Sequence, residues 1–109
     1  MKLIMAVIRE ERVPFVQKAL AAHEIYGMTL SRVEGRGNQG GLKIQYRNRN
    51  LTVDMLPKIA MEIVIDDKRV DVVIEAILQA ARTGKQGDGR IFVLPVIASH
   101  RVRTGEVEA

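Results

Sequence analysis

Apolar residues recur along this chain with two different periods, which predict alternating strands and helices. Residues 3–8 form a short continuous apolar run of the kind found in strands covered on both faces. Residues 11–23 predict a helix in which Pro14 falls in the first turn, where proline is tolerated. Three apolar residues share one face of that helix: Val13, Val16 and Leu20. Residues 28–34 alternate between apolar and polar positions and predict a second strand.

The second half of the chain repeats this order. Residues 59–65 predict a strand, with three apolar residues on one side: Met61, Ile63 and Ile65. A helix follows, for which Asp66 or Asp67 can supply the N-cap. Its apolar stripe is formed by Val70, Val73, Ile74, Ile77, Leu78 and Ala81. Residues 90–94 predict a last strand, which Pro95 ends.

The predicted order is therefore strand, helix, strand, strand, helix, strand. This is the ferredoxin-like βαββαβ arrangement of the α+β class, in which two helices cover one face of an antiparallel sheet. The other face of the sheet receives no helix from this chain, so its apolar residues need a different cover. A symmetric oligomer would provide that cover.

A polar, basic segment, residues 35–57, separates the second and third predicted strands. Four glycines punctuate it, and its basic residues Arg36, Lys43, Arg47 and Arg49 stand against Asp54 alone. Connections of about 20 residues are uncommon in compact domains and are usually functional or disordered. We expect a functional loop, the alternative being a merely exposed basic loop.

Composition narrows the class of protein. The length of 109 residues suits one domain, residues 1–109, and the lack of cysteine excludes disulfides and cysteine-based metal sites. The net charge of +4 is not gathered in any block of five like charges, and tryptophan is missing, so a nucleic-acid partner is not favoured. Residues 1–8 lack the charged leader and cleavage site of a signal peptide, so a cytoplasmic location is expected.

A glycine-rich segment, residues 82–90, lies between the second helix and the last strand. Three glycines within six residues allow the backbone to approach a ligand and turn its N–H groups towards an anion, and Lys85 and Arg90 add positive charge. The segment is not a P-loop, because it leads from a helix into a strand and lacks the Gly-Lys-Ser/Thr ending. Local chemistry allows an equally plain interpretation, a helix C-cap at Gly84 followed by a flexible turn.

The C-terminal segment, residues 96–109, carries a second basic pair. If the chain is extended there, Arg101 and Arg103 project to the same side, where two guanidinium groups suit phosphate oxygens. The alternative is a solvated basic edge strand. The two histidines, His23 and His100, have no partner at metal-ligand spacing, and no nucleophile–base motif is present, which argues against an enzyme.

Four stretches of the chain together resemble the PII signal-transduction proteins, the GlnB and GlnK group. The most specific runs from Thr83 to Val93, Thr-Gly-Lys-Gln-Gly-Asp-Gly-Arg-Ile-Phe-Val. The others are residues 35–39, 53–58 and 101–105, which match the family in order and spacing over essentially the whole chain. The resemblance implies a homotrimer with ATP or ADP bound in three clefts between subunits, and a regulator of nitrogen metabolism.

Carried over residue by residue, the resemblance implies a nucleotide site made of Val7, Thr29, Gly35, Gly37, Asn38, Gln39, Val64, Thr83, Gly84, Gly87, Asp88, Gly89, Arg90, Arg101 and Arg103. Val7, Thr29 and Val64 would line the adenine pocket. Gln39 would coordinate Mg²⁺ together with 2-oxoglutarate, which Lys58 and Gly87 would also contact. Because the cation would bridge phosphate and keto-acid oxygens, 2-oxoglutarate would need Mg-ATP already bound.

Residues 35–57 resemble the T-loop, through which the family contacts its targets. Lys43, Tyr46, Arg47 and Arg49 would contact the partner; in GlnK-type members an arginine at the position of Arg47 enters the pore of an ammonium transporter. A cytoplasmic protein recruited to the membrane by that transporter is therefore expected. A nitrogenase or another metabolic enzyme is the alternative target, with an altered response to 2-oxoglutarate.

The sequence departs from the family pattern at the usual modification sites. Leu51 stands where many members carry a nucleotidylated tyrosine, and Arg49 where some carry a phosphorylated serine. We therefore expect no modification in this loop. Asn38 replaces a common basic residue, which would weaken discrimination of ATP from ADP, and Arg36 replaces a common phenylalanine.

Two other functions remain as competing hypotheses. A nucleic-acid-binding module of the same fold would bind through the basic loop, weaken steeply with salt and ignore ATP. A slow nucleotide hydrolase would lose turnover when Arg90 or Arg103 is replaced by alanine, while the oligomer persists.

Overall fold

The computed structural model describes residues 1–36, 42–46, 49–53 and 55–108, with the backbone alone for 42–46 and 49–53. The elements in chain order are β1 (Lys2–Ile8), α1 (Val13–Ala21), β2 (Thr29–Gly35), β3 (Leu42–Tyr46), β4 (Arg49–Val53), β5 (Leu56–Ile65), α2 (Val70–Ala81), β6 (Gly89–Pro95), β7 (Ser99–His100) and β8 (Val107–Glu108). Short 3₁₀ turns, Glu10–Arg12 and Asp67–Arg69, lead into the two helices.

The main sheet has the strand order β2-β5-β1-β6, and every neighbouring pair is antiparallel. With α1 and α2, these strands confirm the predicted ferredoxin-like α+β fold. Pro14 lies in the first turn of α1, as predicted. None of the helices in the described residues is long and apolar enough to cross a membrane.

One face of the sheet packs against the helices and forms the core. Alternate residues of β1, namely Ile4, Ala6 and Ile8, are buried there, and the cross-strand register places Ile59, Met61 and Ile63 of β5 beside them. From the helices, Val16 and Leu20 of α1 and Val73 and Ile77 of α2 complete this core. The predicted helix stripe is confirmed except at Leu78, which is exposed.

The opposite face of the sheet carries no helix and remains apolar in part. Leu3, Val64 and Leu94 lie directly across from one another on β1, β5 and β6, and Met5 and Phe92 form the next pair. Val64, Phe92 and Leu94 are exposed in the single chain. An apolar stripe of this kind is typical of a surface that a partner covers.

The basic segment between β2 and β5 contains regular structure that its polar composition did not predict. Strands β3 and β4 pair antiparallel, from Leu42 opposite Val53 to Tyr46 opposite Arg49. The expected loop is thus a β-hairpin over its described residues, and β5 begins at Leu56, earlier than predicted. Polar residues sit readily in such a ribbon because its ladder is satisfied by backbone groups alone.

The prediction that Asp66 or Asp67 caps the second helix through its side chain is wrong. Asp66 occupies the N-cap of the 3₁₀ turn without a side-chain cap hydrogen bond, and its backbone carbonyl accepts from the Arg69 amide at 2.9 Å. The Asp67 carboxylate instead accepts hydrogen bonds from the Met1 amino group at 2.7 Å and the Lys2 ammonium at 3.2 Å. Two nearby cations compete successfully for the oxygen that would have capped the helix.

Candidate functional site

Gly89 begins β6 at the point where the glycine-rich segment joins the sheet. Its φ is +110°, and a Cβ at this position would lie 1.8 Å from the carbonyl oxygen of Val7. No side chain fits there, because the obstructing atom belongs to the backbone of the neighbouring central strand. Glycine at this position therefore allows the segment to be drawn closely against β1.

The segment is closed on itself by the carboxylate of Asp88. The backbone amides of Thr83 and Gly84 each donate to Asp88 Oδ2 at 2.8 Å, and the Thr83 hydroxyl donates to Oδ1. Burial alone would raise the pKa of Asp88, but the hydrogen bonds from Thr83, Gly84 and Arg9 outweigh it and leave that pKa far below its usual range. Asp88 is therefore an anion that organises the loop from within.

The plain interpretation of Gly84 as a helix C-cap is wrong. Helix α2 ends at Ala81 with an extended C-cap residue, Arg82, and Gly84 lies beyond the capping positions. The carbonyl of Ala80 is satisfied by the Arg12 guanidinium, whose Nε and Nη2 donate at 2.9 and 2.7 Å. The positive φ of Gly84 serves the turn around Asp88 instead.

Arg9 is a member of this cluster that sequence reasoning missed. Its Nε donates to Asp88 Oδ1 at 3.1 Å, and its Nη2 donates to the carbonyl of Gln86 at 2.6 Å. The side chain is 22% exposed. The sequence alone holds no signal for it, because Arg9 reaches the glycine segment only through the pairing of the preceding Ile8 with Gly89.

Lys58 lies beside Arg9 on the helix-free face. It is only 8% exposed, and its ammonium donates to the carbonyl of Gly87. Burial of the ammonium and the Arg9 guanidinium lower the pKa of Lys58, while Asp88 and Glu11 act in the opposite direction. The structure thus brings two cations against two successive carbonyl groups of one loop.

Other predicted site residues share this face of the sheet. Val7 lies opposite Arg90, Thr29 lies opposite Glu62, and Val64 follows two positions later in β5 on the same side. The Gly35 position is adjacent to Lys58: a Cβ there would lie 3.6 Å from Lys58 Cγ. Val7, Thr29 and Val64, predicted to line the adenine pocket, therefore lie on the same face of the sheet as Lys58 and Arg90.

The tail arginines lie elsewhere, and the extended conformation assumed for them is wrong. Residues 101–106 connect β7 to β8 through a turn, in which the Gly105 amide donates to the Arg101 carbonyl at 2.7 Å. Arg101 pairs with Glu108 at 3.7 Å, and Arg103 is exposed. The tail leaves β6 at Pro95, opposite Lys2, whereas the glycine segment enters β6 opposite Ile8, at the other end of the sheet.

Several predicted residues fall outside the part of the chain that the structure describes: Gly37, Asn38, Gln39 and Arg47, together with the side chains of Lys43, Tyr46 and Arg49. Within the described part, no group of three acidic, histidine or cysteine side chains is arranged to hold a metal ion.

Comparisons with known proteins give the same family along the whole chain. The family model described as nitrogen regulatory protein P-II matches residues 1–106. The chain belongs to the PII family. It is 48% identical over 106 residues to nitrogen regulatory protein P-II 1 of Methanothermobacter thermautotrophicus, covering 97% of this chain and 92% of that protein. It is 47% identical to nitrogen regulatory protein P-II of Nostoc punctiforme, covering 97% and 95%.

The family resemblance drawn from the sequence motifs is thereby confirmed. This PII chain carries the glycine segment in an ordered, closed form, and the names of its relatives describe nitrogen regulators. The individual assignments of nucleotide, 2-oxoglutarate and Mg²⁺ to residues stay predictions.

The depressed pKa of Asp88 predicts how the stability of this PII chain depends on pH. A carboxyl group with a lowered folded-state pKa contributes stability above its unfolded pKa, about 4, and loses that contribution as the pH falls towards the folded-state value. We expect Asp88→Asn to be less stable than the wild type at pH 7, and the difference to shrink below about pH 4.

Urea unfolding at a series of pH values measures this difference. Glu34→Gln, at an exposed position on β2, is the matched control and should follow the wild type throughout. A difference between wild type and Asp88→Asn that stays constant down to pH 2 would contradict the role given to the Asp88 charge.

Proposed function

We propose that this chain is a nitrogen-regulatory signalling protein that binds ATP or ADP and reports the bound state through residues 35–57. The observation that carries the proposal is the glycine segment, which is closed on Asp88 and flanked by Arg9, Lys58 and Arg90 on the helix-free face. A glycine-rich backbone that a ligand can approach closely, with cations around it, suits a polyphosphate.

We further propose that the binding unit is a homotrimer with clefts between subunits. The exposed apolar stripe of Val64, Phe92 and Leu94 supports an oligomer, because a second copy would remove it from water. The position of the tail supports a site shared between two subunits. Arg101 and Arg103 follow the C-terminal end of β6, whereas the glycine segment leads into its N-terminal end. A neighbour's tail would then supply the two guanidinium groups.

The described residues fit an anionic ligand of this kind. Lys58 already donates to a carbonyl, and an incoming carboxylate of 2-oxoglutarate could replace that acceptor. Mg²⁺ would be held by ligand oxygens and by Gln39, so the keto acid would bind after the nucleotide. The buried Lys58 ammonium favours such binding, because an anion beside it would offset the loss of its hydration.

The experiment that tests this proposal separates binding from turnover. ATP binding by equilibrium dialysis and phosphate release are measured on the same samples. We expect about one nucleotide bound per chain, because a symmetric trimer has one cleft per chain. We expect the release of phosphate to be much slower than the exchange of bound nucleotide. Turnover lost in both Arg90→Ala and Arg103→Ala would instead support the slow hydrolase.

The segment 35–57 is proposed to contact an ammonium transporter, which would recruit the protein to the membrane. Its basic composition and its hairpin, β3 paired with β4, support a protruding recognition element. A nitrogenase or another metabolic enzyme is the second candidate. Because Leu51 and Arg49 stand at the usual modification sites, the bound ligands alone would set the state of this segment.

Arg47→Ala is expected to abolish binding to the partner while the affinity for ATP stays within about twofold of the wild type. The reason is that Arg47 belongs to the proposed contact surface and not to the glycine segment. Co-sedimentation with membranes containing the transporter, with ATP or ADP added, measures the first quantity and ATP titration the second. Equal loss of both would show that residue 47 supports the nucleotide site instead.

A further inference from the structure

Two cations of the cluster bind successive carbonyl groups of the glycine segment. Arg9 Nη2 donates to the carbonyl oxygen of Gln86 at 2.6 Å, and the Lys58 ammonium donates to that of Gly87. A Cβ on Gly87 would lie 3.3 Å from Arg9 Nη2 and 3.4 Å from Lys58 Nζ, so both cations lie directly against this backbone. They therefore determine the direction in which these two carbonyl groups point.

The direction of a carbonyl group fixes the direction of the next amide. In a trans peptide the C=O of one residue and the N–H of the next point in opposite directions, and the chain contains no cis peptide bond among its described residues. With the Gln86 and Gly87 carbonyl groups turned towards Arg9 and Lys58, the amides of Gly87 and Asp88 point away from them. Neither amide donates a hydrogen bond within the described part of the chain.

The sign of φ alternates along the backbone around these amides. Gly87 and Gly89 have φ values of +92° and +110°, and Asp88 between them does not share that positive φ. Alternation of this kind turns successive N–H groups towards one concave surface. The amides of Gly87 and Asp88 are thus two unused donors aimed outward from a positively charged loop.

We propose that Arg9 is a positioning residue for the phosphate groups of the nucleotide: it holds the Gln86 carbonyl and the Asp88 carboxylate inward, so that the Gly87 and Asp88 amides face the ligand. The inference rests on the proposed nucleotide function and deepens it. Arg9 itself needs no contact with the phosphates. Its fork geometry suits the role, since one guanidinium reaches two acceptors that a lysine ammonium cannot span in the same directions.

Arg9 would remain bound to the glycine segment even if Lys58 turned to a carboxylate ligand. If Lys58 turns to a carboxylate ligand, the Gly87 carbonyl loses its donor. The pairs from Arg9 to Asp88 and Gln86 would then keep the segment closed on their own. Removing Arg9 would therefore weaken phosphate binding most when the keto acid is present.

The test compares ATP with adenosine in the wild type and in Arg9→Met, by calorimetric titration of the full chain. We expect the affinity for ATP to fall about tenfold or more and that for adenosine to change less than twofold, because charge-assisted hydrogen bonds set the loop and only phosphates use it. Arg9→Lys should recover part of the affinity for ATP. Thermal unfolding of each variant reports whether the fold is intact.

Arg12→Met is the matched control, because Arg12 also donates two hydrogen bonds to a backbone carbonyl, that of Ala80, but away from the glycine segment. It should bind ATP as the wild type does. Unchanged affinity for ATP in Arg9→Met, with the wild type binding normally, overturns the positioning role and leaves the proposed function standing. Failure of the wild type itself to bind ATP overturns the proposed function.

Discussion

Gly89→Ala is expected to be the most destabilising single substitution in the glycine segment. The new Cβ would lie 1.8 Å from the Val7 carbonyl oxygen, so β6 must move away from β1 or the segment must open. Backbone strain at a positive φ costs about 1–3 kcal/mol, and overpacking adds about 1–3 kcal/mol, which together give about 2–6 kcal/mol. Nucleotide binding should be lost with it, because Asp88 and Arg90 are its immediate neighbours.

Gly84→Ala is the matched control for this substitution. Gly84 also has a positive φ, +86°, but an added Cβ there would meet nothing within 4 Å. It should cost only the strain, about 1–3 kcal/mol, so the difference between the two variants isolates the collision with β1. Urea unfolding at equal chain concentration measures both, since an oligomer's stability depends on concentration. Equal stability of the two variants would show that the close approach at Gly89 does not constrain the fold.

Mixing two inactive variants is expected to restore nucleotide binding. Arg90→Ala removes a cation beside the glycine segment, and Arg103→Ala removes one from the tail; each alone should weaken ATP binding about tenfold or more. If one subunit supplies the segment and its neighbour supplies the tail, a mixed trimer contains clefts in which both partners are intact. Random assembly of equal amounts gives such clefts with a frequency of about one in four.

Refolding an equimolar mixture from denaturant and titrating it with ATP measures the number of high-affinity sites. The two variants refolded separately and then combined without exchange are the control and should show none. A mixture that also shows none, although mass spectrometry detects mixed trimers, would mean that both arginines act within one chain or that the tail takes no part.

The spacing of apolar residues predicted the strands of the main sheet and the helices, because burying one face of each element requires that spacing. Ile4, Ala6 and Ile8 must alternate with outward residues in β1, and Val16 and Leu20 must share one helix face. The hairpin of β3 and β4 escaped prediction although Leu42, Ile44 and Tyr46 alternate with polar residues in β3, because that run is short and the glycines and basic residues around it favour a loop. The turn between β7 and β8 also escaped prediction, because Val102 is fully exposed.

The sequence predicted the part of the site that depends on local backbone conformation. It did not predict the contacts between residues that are far apart in the sequence. The clustered glycines predicted a loop whose backbone lies close to another group, and Gly89 lies close to the backbone of Val7. Arg9 could not be assigned from spacing, since 79 positions separate it from Asp88. Only the β1–β6 register brings the two together, as it also brings Lys58 to Gly87 through β5.

We propose that this PII chain senses adenine nucleotides through the glycine segment, and calorimetric titration tests this proposal most directly. ATP and ADP are each titrated into the full chain, with and without Mg²⁺ and 2-oxoglutarate. The account predicts saturable binding of both nucleotides, and binding of 2-oxoglutarate only when ATP and Mg²⁺ are present. No binding of either nucleotide at millimolar concentration would contradict it, and salt-sensitive binding to DNA or RNA would then favour the nucleic-acid-binding module.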